Sequence, residues 1–122
     1  MQPYSLRRTM FTLDKNERLC SETQIRKLFA EGRGFFSYPL RTVFIMRDDD
    51  SPARFLVSVP KKRFKHAVDR NNIKRKVREA YRKNKLPLPC DMAFIYIAEK
   101  NEPYRCIEKA VKKAVKQILE TV

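Results

Sequence analysis

Histidine is almost missing: His66 is the only one in 122 residues. A ribonuclease working through paired imidazoles would lack its second residue. Glycine is nearly as scarce, with only Gly32 and Gly34, so there is no phosphate-cradling P-loop and no dinucleotide-binding glycine pattern. The three cysteines, Cys20, Cys90 and Cys106, are odd in number and far apart, with no C-x-x-C pair. That spacing argues against a disulfide framework or a zinc site. No segment approaches the ~18 consecutive apolar residues of a membrane span. The start, Met1 to Thr12, is broken by Arg7 and Arg8 and has no apolar run of the signal-peptide kind. A cytoplasmic location is therefore expected.

Acidic residues are the other shortage. Fourteen Asp and Glu face 28 Lys and Arg, for a net charge of +14. A charge of that size resists compaction unless a polyanion offsets it, and nucleic acid gains affinity from each phosphate neutralised. Apolar residues make up 43% of the chain, enough for one globular domain spanning 1–122. Residues 1–17 read as an extended or flexible arm, with Phe11 and Leu13 as anchors.

Ser21 and Gln24 form a capping-box pattern, followed by Ile25, Leu28 and Phe29 at helical spacing and stopped by Gly32 and Gly34. Phe36 to Met46 reads as a strand, with Leu40, Thr42, Phe44 and Met46 on one face and Arg41, Val43 and Ile45 on the other. Asp48 to Pro52 is a turn rather than a metal loop, because the spacing is wrong for an EF-hand. Arg54 to Val59 is a second strand, expected as the hairpin partner of the first. A helix is expected over 68–84. Asp91 to Ala98 is almost continuously apolar, as a strand covered on both faces would be. Pro103 opens a last helix with an apolar stripe through Ile107, Ala110, Val111, Ala114, Ile118 and Leu119, leaving Lys109, Lys112, Lys113 and Lys116 outside. The order α-β-β-α-β-α describes an α+β fold, a single-domain α/β sandwich.

Residues 61–85 carry twelve cations against Asp69 and Glu79. On a wheel of ~100° per residue with Ile73 at zero, Val77, Ala80 and Tyr81 fall within about 80°. Asn71, Lys74, Arg75, Arg78, Arg82 and Lys85 fall between about 100° and 200°, as one stripe that excludes Glu79 at about 240°. A solvated helix usually mixes signs for i,i+4 pairing. A one-sided stripe points to a phosphate backbone.

The segment Ser58-Val59-Pro60-Lys61-Lys62, then Ala67-Val68, Arg70-Asn71-Asn72-Ile73-Lys74-Arg75 and Arg78-Glu79-Ala80 resembles the signature of the bacterial ribonuclease P protein subunit. The resemblance extends over nearly the whole chain, and the elements occur in family order. It implies a left-handed βαβ crossover, and a non-catalytic protein that assists a catalytic RNA subunit, working with Mg²⁺, in removing the 5′ leader of precursor tRNA. It implies RNA-subunit contacts from Lys61, Lys62, Arg70, Asn71, Asn72, Lys74, Arg75, Arg78 and Arg82. It also implies a leader cleft between the first helix and the sheet, carried over to Arg18, Ile25, Phe29, Phe44 and Lys100, with Phe36 as a second choice for the strand aromatic. Three positions depart from the family pattern: Asn72 replaces an arginine, Ile25 a common phenylalanine, and Glu99 the arginine of an Arg-Lys pair. A structural RNA-binding protein of ribosomal type accounts equally well for charge and size, but not for this signature. A stand-alone nuclease is disfavoured by the missing histidine and by carboxylates that form no two-metal pattern.

Overall fold

A computed structural model describes residues 17–121; the expected arm, with Phe11 and Leu13, lies outside them except for Glu17. The elements are α1 (Glu22–Glu31), β1 (Arg33–Ser37), β2 (Leu40–Met46), β3 (Arg54–Ser58), α2 (Ala67–Lys83), β4 (Cys90–Tyr96) and α3 (Tyr104–Thr121). They form an α+β fold with one mixed four-stranded sheet in the order β1-β2-β4-β3.

Helix α1 begins where the Ser21 hydroxyl accepts the Gln24 amide at 3.4 Å, satisfying a donor that the helix start leaves open. It ends at Gly32, whose N–H donates to the Leu28 carbonyl at 2.8 Å. Gly32 has an ordinary extended backbone, so crowding is what requires glycine there. A Cβ would lie 2.3 Å from the Leu28 oxygen, 2.9 Å from Val43 Cγ1 and 3.0 Å from the Phe44 oxygen.

The stretch expected as one strand from Phe36 is two strands. Tyr38 and Pro39 turn the chain, and β1 pairs antiparallel with β2 in a hairpin. Pro39 cannot donate to a ladder, which favours a break there. The expected hairpin between the Phe36–Met46 strand and Arg54–Val59 does not form. Strand β4 is antiparallel to β2 and parallel to β3, and so separates them. Sequential strands are neighbours more often than not. Here the most apolar strand takes the centre, and α2 provides the long crossover that parallel β3 and β4 require. β3–α2–β4 is thus the unit to which the implied crossover refers.

Alternation then sorts the side chains. Leu40, Phe44, Phe55, Met92, Phe94 and Tyr96 face a large core closed by Ile73, Val77 and Tyr81 of α2 and Ile107, Val111 and Ile118 of α3. The opposite sheet face carries a smaller cluster of Leu19, Leu28, Val43 and Ala93, with Ile25, Ile45, Leu56 and Ile95 against it. Among the described residues, one sheet face is therefore covered by two helices and the other by α1 alone.

Gly32→Ala should lower stability by about 1–3 kcal/mol, because two of its three neighbours are backbone oxygens that cannot yield cheaply. Gly34→Ala, whose nearest neighbour would stand at 3.6 Å, should be nearly neutral. Urea unfolding of both variants checks the contrast.

Candidate RNA-binding surfaces

Helix α2 buries Ile73, Val77, Ala80 and Tyr81, the side the wheel assigns to the core. Asn71, Arg75 and Arg78 are exposed, and Lys74 is half-buried. Its C-terminal end differs from expectation. Glu79 pairs with Arg82 and lies 3.9 Å from Lys83, so an acid does reach into the stripe. The hydrogen bond from Arg82 holds the Glu79 carboxyl below the usual carboxylate range. The wheel misses this because it places Cα directions, whereas both side chains are long enough to bend toward each other across one turn. Lys85 pairs with Glu17 at 3.0 Å. Among the described residues, the ion pairs include none of Lys61, Lys62, Lys74, Arg75 and Arg78. The cationic stripe is thereby concentrated at the N-terminal and middle turns.

Two other signature residues hold the fold. Arg70 Nη1 donates to the carbonyls of Phe64 at 2.7 Å and Lys65 at 3.0 Å, pinning the Lys61–His66 loop onto α2. Asn72 Oδ1 accepts from Asn101 Nδ2 at 3.0 Å. Lys76 Nζ donates to Asn101 Oδ1 at 2.8 Å and to the Glu102 carbonyl at 3.0 Å. The loop between β4 and α3 is tied to α2 by these bonds, and Lys100 sits exposed on it. Asparagine at position 72 therefore has a partner that its amide geometry fits. His66 caps α2 without a side-chain hydrogen bond to it.

The second surface lies on the α1 side of the sheet. The register aligns Phe36, Arg41, Ile95 and Ser58 in one row across the four strands. Val43, Ala93 and Leu56, in the next row on that face, belong to the cluster that α1 packs against. In the first row, Phe36 is 69% exposed, and the Arg41 guanidinium carbon lies 5.9 Å from its ring centroid. Phe29 on α1 is 49% exposed and Ile25 is half-buried. Phe44, chosen from sequence as the strand aromatic of a cleft, is 4% exposed and meets Phe35 edge-on at 6.0 Å in the large core. The correction follows from the hairpin. In one continuous strand Phe36 and Phe44 would share a face, but the two-residue turn pairs Phe36 with Arg41 and so moves it to the opposite one.

The two surfaces meet at the outer edge of β3. Leu19 N–H donates to the Phe55 carbonyl at 2.9 Å and fixes the start of the described chain along that edge. Arg18, from the α1 side, and Arg78, from α2, line one shallow cleft there with Cys20, Leu56 and Val57. Just beyond the row, at the strand ends, Lys100, Tyr38 and Arg63 border a second depression, where Arg63 donates to the Ile97 carbonyl. Sequence reasoning missed Arg41 and Arg63; the Tyr38-Pro39 dipeptide was the signal that would have revealed the hairpin and the Phe36–Arg41 row.

Several other titratable groups are engaged structurally. Asp91, 3% exposed, accepts from Arg54 Nε at 2.9 Å and lies 3.0 Å from Arg47 Nε. Asp49 accepts from Arg47 and from the Ser51 amide, closing the expected turn. Burial pushes the Cys90 thiol up to about 12, which removes it as a nucleophile. Among the described residues there is no cluster of three His, Cys, Asp or Glu able to hold a metal ion, and no helix long and apolar enough to cross a membrane.

Residues 13–120 match the family described as Ribonuclease P. The chain is 39% identical to the ribonuclease P protein component of Porphyromonas gingivalis, over 92% of this chain and 90% of that relative. It is 30% identical to the ribonuclease P protein component of Clostridioides difficile, over 85% of this chain and 93% of that relative. The fold matches the ribonuclease P protein of Thermotoga maritima with a TM-score of 0.72 at 24% identity, covering 83% and 96% of the two chains.

The two aromatics differ in a way that stability reads directly. Phe44→Ala should cost about 3–5 kcal/mol, as expected for a fully packed phenylalanine. Phe36→Ala should change stability by less than about 1 kcal/mol, as a surface substitution does. Equal losses in thermal unfolding would contradict the assignment of the two rings to opposite sheet faces.

Proposed function

Because this chain belongs to the bacterial ribonuclease P protein family, we propose that α2 and its preceding loop bind the enzyme's RNA subunit while the α1 side of the sheet receives the 5′ leader of precursor tRNA. The chain is the protein component of ribonuclease P, the non-catalytic subunit of an endoribonuclease of tRNA maturation. The observation that carries the division of labour is that, among the described residues, the ion pairs include none of Lys74, Arg75 and Arg78, on a helix whose other side is core. Cations left unpaired in this way are kept at a cost from like-charge repulsion that phosphates offset.

A leader suits the opposite surface for a different reason. Unpaired bases stack on exposed aromatic rings for about 1–3 kcal/mol each, whatever their sequence, while nearby cations follow the backbone. Phe36 and Phe29 are exposed rings there, and Arg18, Arg41 and Lys100 are exposed cations. Relative to the sequence expectation, Phe36 takes the place of Phe44. Mg²⁺ is assigned to the RNA: Asp91 is neutralised by two arginines and Asp49 by one, so neither of these carboxylates is free for a hydrated Mg²⁺. A subunit of this kind works in the cytoplasm, where its RNA partners are.

Reconstitution tests the reading. The protein is added to a bacterial ribonuclease P RNA and a leader-bearing precursor tRNA at low Mg²⁺. Cleavage should be faster than with RNA alone, and Arg75→Ala/Arg78→Ala should weaken RNA binding and reduce its log–log salt slope by about 0.7–0.9 per lost contact. Phe36→Ala should weaken a long-leader substrate more than a leaderless one. No gain over RNA alone would overturn the reading, and an unchanged slope would remove α2 from it.

A further inference from the structure

Helix α3 carries a second charged face that the division of labour above leaves unused. On the same wheel, with Lys109 at zero, Arg105, Lys112, Lys113 and Lys116 all fall within about 60° of it. All five are exposed, and among the described residues the ion pairs include none of them. Ile107, Val111, Ala114 and Ile118, on the other side of the helix, are fully buried. The cations thus point straight away from the core, along about 16 Å of helix from residue 105 to 116 at 1.5 Å per residue.

The arrangement does not serve the helix itself. A helix is stabilised by acids in its first turn and bases in its last. Here the first turn has no acid and holds Arg105, while the last has no base and holds Glu120. Lysine pairs at i,i+4, such as Lys109–Lys113 and Lys112–Lys116, repel one another.

We propose that this face binds a second stretch of phosphodiester backbone of the RNA subunit, separate from the one on α2. This inference rests on the reading that the chain is a ribonuclease P protein. The choice of RNA follows from what the face contains. A helix lying on a membrane inserts its apolar side, and that side of α3 is already spent on the core. Protein–protein interfaces are depleted in lysine. The separation from α2 follows from how the helices abut. Lys76 reaches the loop at the start of α3, and Lys83 stands over the Tyr104 ring at 5.6 Å. On the wheel both lie about 80–160° around α2 from Arg75 and Arg78. A backbone segment lying along Arg75 and Arg78 would have to bend around α2 to reach Lys109–Lys116 as well. The protein then clamps two RNA segments through one helical layer.

The test is the salt dependence of binding between the full chain and its ribonuclease P RNA, with Lys109, Lys112, Lys113 and Lys116 all changed to Gln. Glutamine keeps the helix propensity close to that of lysine. The log–log slope should fall by roughly three, from four lost contacts at about 0.7–0.9 each. Phosphate footprinting should show loss of a protected segment that Arg75→Ala/Arg78→Ala retains. An unchanged slope, or loss of the same segment in both variants, overturns the proposal. If the four-Gln variant binds RNA normally but no longer sediments with phosphatidylcholine–phosphatidylserine vesicles as the parent does, the face serves lipid and the proposal is also overturned. A normal response of the Arg75/Arg78 variant alongside a silent four-Gln variant leaves the family-based reading standing; failure of the parent to bind this RNA removes both.

Discussion

Strand β4 lies between β2 and β3, and six of its seven residues are buried, Ile95 alone being half-buried. A strand wet on neither face must be covered on both sides. Two helices, α2 and α3, provide the cover on one side, where Met92, Phe94 and Tyr96 point. On the other side, among the described residues, only α1 is available, and it reaches the Val43–Ala93–Leu56 row through Ile25 and Leu28. Among the described residues, the next row remains open. The same demand that builds the core therefore leaves an uncovered sheet surface beside α1, with an exposed phenylalanine and an arginine on it.

Charge is divided with similar economy. The cations that hold the fold together are spoken for: Arg47 and Arg54 on Asp91, Arg70 on the loop before α2, Lys76 on the loop before α3, Arg82 on Glu79. Many of the remaining described cations are grouped. They gather on α2, on α3 and around the open row, with Arg18 and Arg78 joining two of these regions at the β3 edge. Exposed ion pairs would add little to stability, so their absence costs little in the folded protein alone. It does leave phosphates as the partners able to compensate the mutual repulsion of a chain with a net charge of +14.

Much of this was legible in the sequence because the helices announce themselves locally. The Ser21 cap, the buried side of α2 and the apolar stripe of α3 each depend on residues within a few turns of one another. The apolar run of β4 also gave its burial correctly. Pairing was the part that spacing could not reveal. Whether β3 joins β2 or β4 is decided by competition among strands distant in sequence, and β4 wins by being the most apolar. The face of Phe36 was lost for the same reason, since a turn at Tyr38-Pro39 reverses parity and a strand counted straight through it assigns the wrong aromatic. The Glu79–Arg82 pair escaped the wheel because side-chain reach is not a Cα angle. Family signature residues were least transparent of all: Arg70 and Asn72 look like RNA ligands in the motif, yet both have intramolecular partners that organise the loops around α2.

The central claim is that the sheet separates two RNA contacts, with the RNA subunit on α2 and the substrate leader on the α1 side. Site-specific photo-cross-linking tests it most directly. A photoreactive phenylalanine analogue is placed at position 36 in one protein and at position 75 in another. Each is assembled with ribonuclease P RNA and a precursor tRNA carrying a labelled leader. The account predicts that position 36 cross-links to the leader and position 75 to the RNA subunit. Cross-links from both positions to the same RNA, or the reverse assignment, would contradict it.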